Sequence, residues 1–247
     1  MEEKTMTKFK VAIVDNSIYP EIYKPVEHWA QYLEGAEWEA FYAPDRRLPG
    51  LKTYSHIILT GSEASILERE PWVDHEVEFV RQAFHEGLSI LGSCYGHQLL
   101  VLSLAGPAYV GRSREPEIGW IPIDITMESP LLGPKGTAYT FSVHFDEVRN
   151  LKEPFMVLAS TDISPIQAFG MKGRNIWGLQ IHPEIDVKSA RDLLRDFGSV
   201  FPLVRPLYEK ALASDPRDSR LIFKIVNEFL AQARLYDEKA GRREDNS

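Results

Sequence analysis

Short apolar segments alternate with amphipathic ones through the first hundred residues, and this alternation constrains the fold more than any other feature of the sequence. It predicts parallel strands joined by crossover helices. The segments typical of strands are 9–14, 37–42, 54–60 and 88–91. The segments typical of helices are 25–33 and 72–86.

The pattern changes after Gly106, where shorter apolar pieces indicate more sheet, partly antiparallel. These pieces are 108–110, 119–126, 138–142, 155–159, 166–169 and 176–181. From residue 187 onward the periodicity is helical. The helical segments are 189–197, 204–213 and 220–236, and a polar tail at 241–247 is expected to be frayed.

Together these patterns predict an α/β fold, a three-layer α/β/α sandwich whose flavodoxin-like mixed sheet has central parallel strands. We place the main domain at residues 1–198 and a C-terminal helical extension, with its tail, at 199–247. The apolar stripes of the extension predict helices that cover the core or one another. The alternative is a surface that forms a homodimer or docks a partner.

The composition restricts the classes of partner. The longest apolar run in the 247 residues is shorter than the roughly 20 residues of a membrane span, and the N-terminal residues lack the apolar stretch of a signal peptide. One cysteine allows neither an internal disulfide nor a Cys-rich metal site. A net charge of -8 disfavours nucleic acid as a partner. We therefore expect a cytoplasmic protein that binds a small molecule or another protein, away from membranes.

The single cysteine, Cys94, stands between Gly92 and Gly96, after an apolar strand and before a helical run. Strand, glycine-flanked residue and helix form the pattern of a nucleophile elbow, because glycines allow the sharp turn that exposes the side chain. The positive end of a helix dipole also stabilises a thiolate. The alternative is an inert buried cysteine, which would gain nothing from a tight turn.

A second candidate group follows the apolar segment 176–181, where the chain reads His-Pro-Glu. Residues two apart in an extended chain point the same way, so Glu184 can orient the ring of His182. Nucleophile, base and orienting carboxylate are then all present. The alternatives are that His182 only ends a strand, or that His144 and Asp146, also two apart, form the base pair instead.

These two motifs, in residues and order, resemble those of the class I glutamine amidotransferases. The family carries Gly-x-Cys-x-Gly-x-Gln, matched at 92–98, and Gly-x-Gln-x-His-Pro-Glu, matched at 178–184, within a resemblance that spans about residues 9–197. It implies that Cys94 attacks the side-chain amide of glutamine, that His182 acts as base and then acid, and that Glu184 orients it. A glutamyl thioester forms, ammonia leaves and water hydrolyses the thioester.

The resemblance also implies an oxyanion hole. The N–H of Tyr95, next to the nucleophile, would be one donor, and the loop holding Gly61 and Ser62 would provide the second. That loop is similar to the Thr-Gly-Ser loop of stand-alone members that resemble the glutaminase part of GMP synthase. Without the family context, Gly61 and Ser62 would equally suit a turn or a helix cap.

The resemblance assigns substrate binding to Gln98 and to the segment around Val143, His144 and Phe145. By analogy Gln98 binds the α-amino and carboxylate end of glutamine. The segment resembles the Ser-His-Gly-Asp stretch of the family but departs from it, because Val143 replaces a common Ser or Asn and Phe145 a common Gly. These departures predict a narrower or reshaped pocket.

An amidotransferase passes ammonia to an acceptor, but the sequence contains no Gly-x-x-x-x-Gly-Lys-Ser/Thr loop of a nucleotide-dependent synthetase. A separate synthetase subunit would then be the partner, or the protein acts alone as a hydrolase of γ-glutamyl amides, with glutamine as the default substrate. Stand-alone relatives include γ-glutamyl peptidases, so glutathione-like and γ-glutamyl peptide substrates are the second hypothesis. A non-catalytic binding protein is the third. We expect neither a metal ion nor a cofactor.

Overall fold

The structure is a computed structural model that describes residues 9–232. Its strands are β1 (Lys10–Asp15), β2 (Glu37–Tyr42), β3 (His56–Leu59), β4 (Ser89–Ser93), β5 (Val110–Ile125), β6 (Gly136–Val148), β7 (Phe155–Ser160), β8 (Ala168–Met171) and β9 (Ile176–Leu179). Its helices are α1 (Pro25–Ala30), α2 (Val73–His85), α3 (Tyr95–Leu104), α4 (Val187–Val200), α5 (Arg205–Leu212) and α6 (Leu221–Ala231).

The strands form one mixed sheet in the order β2-β1-β3-β4-β9-β8-β7-β5-β6. The first five strands of this order pair in parallel, and the remaining pairs are antiparallel. The parallel part has the doubly wound order of flavodoxin-like proteins, in which ligands bind outside the carboxyl ends of the strands. The predicted α/β sandwich with central parallel strands is therefore confirmed.

Helices cover both faces of the parallel part. On one face α2 and α3 pack over Leu59 and Ile90, and on the other face α1 and α6 pack over Ile58 and Leu91. The central strands β3 and β4 are buried at every position because both of their faces are covered. The sheet and the helices on its two faces therefore form three layers.

The helix α6 belongs to the main core. It buries the apolar stripe Ile222, Ile225, Val226 and Phe229 against the sheet, at the spacing of one helical face. The proposed boundary between residues 198 and 199 lies inside α4, which continues to Val200. Periodicity predicts that a helix has an apolar face but not which surface covers that face.

The helices α4 and α5 instead pack over the long antiparallel hairpin of β5 and β6. Their buried side chains, among them Leu193, Phe197 and Tyr208, form a third cluster with Phe141 of β6. This pair of helices therefore lies beside the carboxyl end of β9, close to the residues that follow it.

Most predicted elements are present with shifted ends, but the strand predicted at 108–110 is wrong. Pro107–Tyr109 forms a 3-10 turn, which suits proline near its start, and β5 begins only at Val110. The end of the helix predicted to reach residue 236, and the tail at 241–247, lie outside the described residues. Within 9–232, the helices are too short or too polar for one to cross a membrane.

Candidate active site

Cys94 lies in the turn between β4 and α3, with φ 48° and ψ -103°. A residue with a side chain rarely adopts a positive φ, and such strain persists only where the surroundings impose it. Here the N–H of Cys94 donates to the carbonyl of Leu179, 2.7 Å away, which ties the turn to the end of β9. The thiol is thereby held at the edge of the sheet, 5% exposed.

The two glycines of this turn are required by close packing. A Cβ at Gly92 would overlap the carbonyl of Gly96, and a Cβ at Gly96 would overlap the carbonyl of Leu59. The N–H of Gly96 also donates to the carbonyl of Thr60, at 3.1 Å. The start of α3 is thus pressed against the end of β3, which fixes the position of the cysteine between them.

His182 and Glu184 lie together as the spacing predicts. The Nδ1 atom of His182 is 2.8 Å from Oε1 of Glu184, and both side chains are buried. Ser93 also holds the carboxylate, because its hydroxyl donates to the same oxygen, Oε1 of Glu184, over 3.2 Å. The backbone N–H of His182 donates to the carbonyl of Phe141. The ring is therefore fixed in both position and orientation.

Cys94 also affects the pKa of His182. Burial alone would lower the pKa of His182, but the negative charges of Cys94 and Glu184, with hydrogen bonds to both, raise it well above its ordinary value. This balance keeps a proton on the imidazole when the sulfur is a thiolate. An imidazolium beside a thiolate is a nucleophile paired with an acid.

The loop after β3 lies against the ring of His182. A Cβ at Gly61 would be 2.8 Å from Cε1 of His182 and 2.7 Å from the hydroxyl of Tyr23. The Thr60 hydroxyl donates to the Gly61 carbonyl, at 3.0 Å. Because N–H and C=O of a trans peptide point in opposite directions, the N–H of Ser62 points away from Thr60.

Tyr95 begins α3, so its N–H has no acceptor within the helix. Both Tyr95 and Ser62 line a pocket of about 200 Å³ that opens over Cys94. Residues of two separate elements, the start of α3 and the loop after β3, thus line the pocket beside the sulfur.

Gln98 is buried at the pocket, 3% exposed. Its amide nitrogen donates to the carbonyl of Asp146 over 2.9 Å and to Oε1 of Gln180 over 3.1 Å. Since both amide hydrogens are used by the protein, a ligand can address only the amide oxygen. That oxygen accepts hydrogen bonds, as from an ammonium group.

The segment 143–146 forms the opposite wall. The thiol of Cys94 donates to the carbonyl of Val143 over 3.6 Å, and His144 and Phe145 also line the pocket. His144 is buried between the carbonyl of Asp146, at 3.0 Å from Nδ1, and a carboxylate oxygen of Glu117, at 3.1 Å from Nε2. Both ring nitrogens of His144 therefore already have partners within the protein.

The alternative base pair of His144 and Asp146 does not form through the carboxylate. That carboxylate pairs instead with Arg112, at 2.9 Å, and accepts a hydrogen bond from Ser65, at 2.6 Å. Spacing alone cannot distinguish a side-chain contact from the backbone contact that His144 makes.

Three further residues of the site were missed by the sequence analysis. The amide of Gln180 donates to the sulfur of Cys94 over 3.6 Å, and its position two residues before His182 was a usable signal. Tyr23 and Arg112 also line the pocket. Tyr23 lies in a loop and Arg112 in β5. No local sequence pattern predicts that either residue reaches the site. Among residues 9–232, histidine, cysteine and acidic side chains form no cluster able to hold a metal ion.

Comparisons with known proteins agree on one family. The model of "Glutamine amidotransferase class-I" matches residues 28–199. The chain is 31% identical over 143 residues to a subunit of the glutamine-hydrolysing GMP synthase of Sulfurisphaera tokodaii, covering 58% of this chain and 73% of that one. It is 35% identical over 144 residues to the GMP synthase of Heliobacterium modesticaldum, covering 57% of this chain and 26% of that one.

The chain therefore spans about a quarter of the length of the full GMP synthase that it matches. Among solved structures, a glutamine amidotransferase from Thermotoga maritima superposes with a TM-score of 0.71 at 16% identity. That match covers 91% of this chain and 99% of the other. At such low identity the likeness establishes the fold.

Proposed function

The chain belongs to the class I glutamine amidotransferases, and from this membership we propose that it hydrolyses the side-chain amide of glutamine through a thioester on Cys94. The observation that carries the proposal is the strained turn that holds Cys94 beside a ring fixed by Glu184 at 2.8 Å. A buried structural cysteine needs neither a positive φ nor a charged partner.

The thiolate of Cys94 attacks the amide carbon, and the carbonyl oxygen becomes an oxyanion. His182 then gives its proton to the nitrogen, the C–N bond breaks, and ammonia leaves. Water attacks the thioester as His182 takes its proton, and collapse of this second intermediate returns glutamate and the thiolate. Glu184 keeps Nε2 of the ring directed at the reaction by binding Nδ1.

The oxyanion would bind the N–H of Tyr95 and an N–H of the loop at Gly61 and Ser62. One donor of this kind is worth roughly 10²- to 10³-fold in kcat. The amide oxygen of Gln98 would accept from the α-ammonium group of glutamine. The wall formed by Val143, His144 and Phe145 would position the glutamyl chain next to the sulfur.

Ammonia release from glutamine by the purified full chain tests this proposal. Cys94→Ala should abolish release and His182→Ala should remove most of it, whereas His75→Ala, at an exposed position on α2, controls for the loss of a histidine. Equal release by Cys94→Ala and the unmodified chain would reject the mechanism. Full turnover by His182→Ala would reject the assignment of the base.

A separate synthetase subunit would receive the ammonia. The support is the similarity to a protein that is itself named as one subunit of a GMP synthase, together with the short span of the full-length enzyme that this chain covers.

We also propose that the chain consists of an amidotransferase-like domain at 1–198 and a helical extension at 199–247. Because α6 packs on the main sheet, the extension would contribute to the stability of that domain.

A further inference from the structure

The pocket over Cys94 has two unlike sides. On the polar side, Gln98, Arg112 and Ser65 all contact Asp146. The guanidinium of Arg112 suits the α-carboxylate group of a glutamyl substrate, and the amide oxygen of Gln98 suits its α-ammonium group. On the other side the pocket is lined by apolar and aromatic side chains of α4, of α5 and of the turn between them.

This apolar side consists of Leu193, Phe197, Phe201, Val204 and Tyr208. We call it the α4–α5 wall. Three of these side chains are buried and two are partly buried in a single cluster. The α4–α5 wall is therefore part of a packed apolar cluster and also lines the pocket.

The α4–α5 wall lies on the same side of Cys94 as the imidazole. The rings of Tyr23 and Phe141 are centred 6.0 Å and 6.4 Å from the ring of His182. Tyr23 and Phe141 belong to the same apolar cluster as the wall. The cluster thus extends from the edge of His182 to α5, whereas the polar contacts gather around Asp146.

The position of the acid decides which part of a substrate meets the wall. His182 must reach the nitrogen that leaves, so the leaving amine lies on the imidazole side of the sulfur. Ammonia, the leaving group of glutamine, has no apolar part to bury. A wall of five apolar side chains at this position fits an amine that carries an apolar substituent.

We propose that the α4–α5 wall is a leaving-group subsite and that the preferred substrates are γ-glutamyl amides of apolar, aromatic-sized amines. The inference rests on the proposed function and names its substrate class. The chemistry is unchanged: the C–S bond forms, His182 protonates the nitrogen, the C–N bond breaks, and the neutral amine leaves along the wall. Water then releases glutamate from Cys94.

Tyr23 provides one polar contact where the wall meets His182. Its hydroxyl is buried and has no hydrogen-bond partner within residues 9–232. Burial, and then the charges of Glu184 and Cys94, raise the pKa of Tyr23 well above its ordinary value, so the hydroxyl stays neutral. A buried unpaired hydroxyl is unfavourable, and the amide N–H of a bound substrate would satisfy it.

The test compares kcat/KM of the full chain for γ-L-glutamylbenzylamide, γ-L-glutamylglycine and L-glutamine. We expect the benzylamide to exceed γ-L-glutamylglycine by about tenfold or more, because apolar fit at a pocket is worth at least that factor. Phe201→Ala should lower the value for the benzylamide by about tenfold and leave that for glutamine within about threefold. Phe223→Ala, at an exposed phenylalanine on α6, is the matched control and should change neither.

A second variant keeps the test independent of folding. Val204→Thr preserves the shape of the side chain and adds a hydroxyl to the wall, so it should also lower only the benzylamide value. Equal values for the benzylamide and γ-L-glutamylglycine would overturn the subsite while glutamine hydrolysis upheld the proposed function. Equal loss on all substrates in Phe201→Ala and Val204→Thr would overturn it as well. Turnover that survives Cys94→Ala would instead reject the proposed function.

Discussion

Replacing Glu76 with glutamine should remove a pH dependence from the stability of the fold. Glu76 lies inside α2 and is 1% exposed, and within residues 9–232 neither of its carboxylate oxygens has a hydrogen-bond partner. Burial raises its pKa from the ordinary value of 4.5 to about 8. The folded state therefore holds a proton on this side chain at neutral pH.

The magnitude follows from the two pKa values of Glu76. Below pH 4.5 the carboxyl is protonated in both states, so its contribution to stability is fully present. As the pH rises towards 8, the unfolded chain loses the proton and the folded chain keeps it, which lowers the free energy of unfolding by about 1.4 kcal/mol per pH unit. Between pH 5 and pH 8 the loss amounts to about 3.5 kcal/mol.

Urea unfolding of the full chain at pH 5, 6, 7 and 8, followed by circular dichroism, measures this loss. Glu76→Gln cannot ionise, so the unfolding free energy of the variant relative to the unmodified chain should rise by about 3.5 kcal/mol across that range. Glu78→Gln, at an exposed position on the same helix, controls for the lost charge and should keep the original pH dependence. A difference between Glu76→Gln and the unmodified chain that stays constant with pH would refute the reasoning.

Three other perturbations test the fold and the site. Gly96→Ala places a Cβ against the carbonyl of Leu59, and urea unfolding should show a loss of about 1–3 kcal/mol; an unchanged midpoint would contradict the packing of the elbow. Phe229→Ala empties a fully buried position of α6 and should cost about 3–5 kcal/mol, whereas a loss under about 1 kcal/mol would mean that α6 is not part of the core. Glu184→Gln should lower kcat by roughly 10²- to 10⁴-fold. Because the charge of Glu184 helps to raise the pKa of His182, this variant should also lose activity at a lower alkaline pH than the unmodified chain, and an identical pH profile would contradict that role.

Local patterns predicted the parts of the structure that depend on local geometry. The alternation of apolar segments predicted the parallel strands and their covering helices, because each buried strand or helix face has its own period. The spacing of His182 and Glu184 predicted their contact, which measures 2.8 Å in the structure. The glycines beside Cys94 predicted a tight turn for the same local reason.

Features that depend on distant packing could not be predicted in this way. The strand β5 extends over 16 residues, yet its register shifts between Arg112 and Glu117, which interrupts the alternation on which a strand prediction depends. Tyr23 reaches the site from a loop after β1, and its role depends on where α4 and α5 cross the sheet. The apolar stripes of those helices indicated burial, but not that one end of the buried cluster lines a pocket.

The proposed mechanism requires that Cys94, the single cysteine of the chain, carries the glutamyl group during hydrolysis. Mass spectrometry of the full chain, quenched in acid during turnover and digested, measures this directly. We expect a mass increase of one γ-glutamyl group on the peptide that contains Cys94, removed by hydroxylamine as is usual for a thioester. A glutamyl group on another side chain, or hydrolysis that proceeds with none on Cys94, would contradict the mechanism.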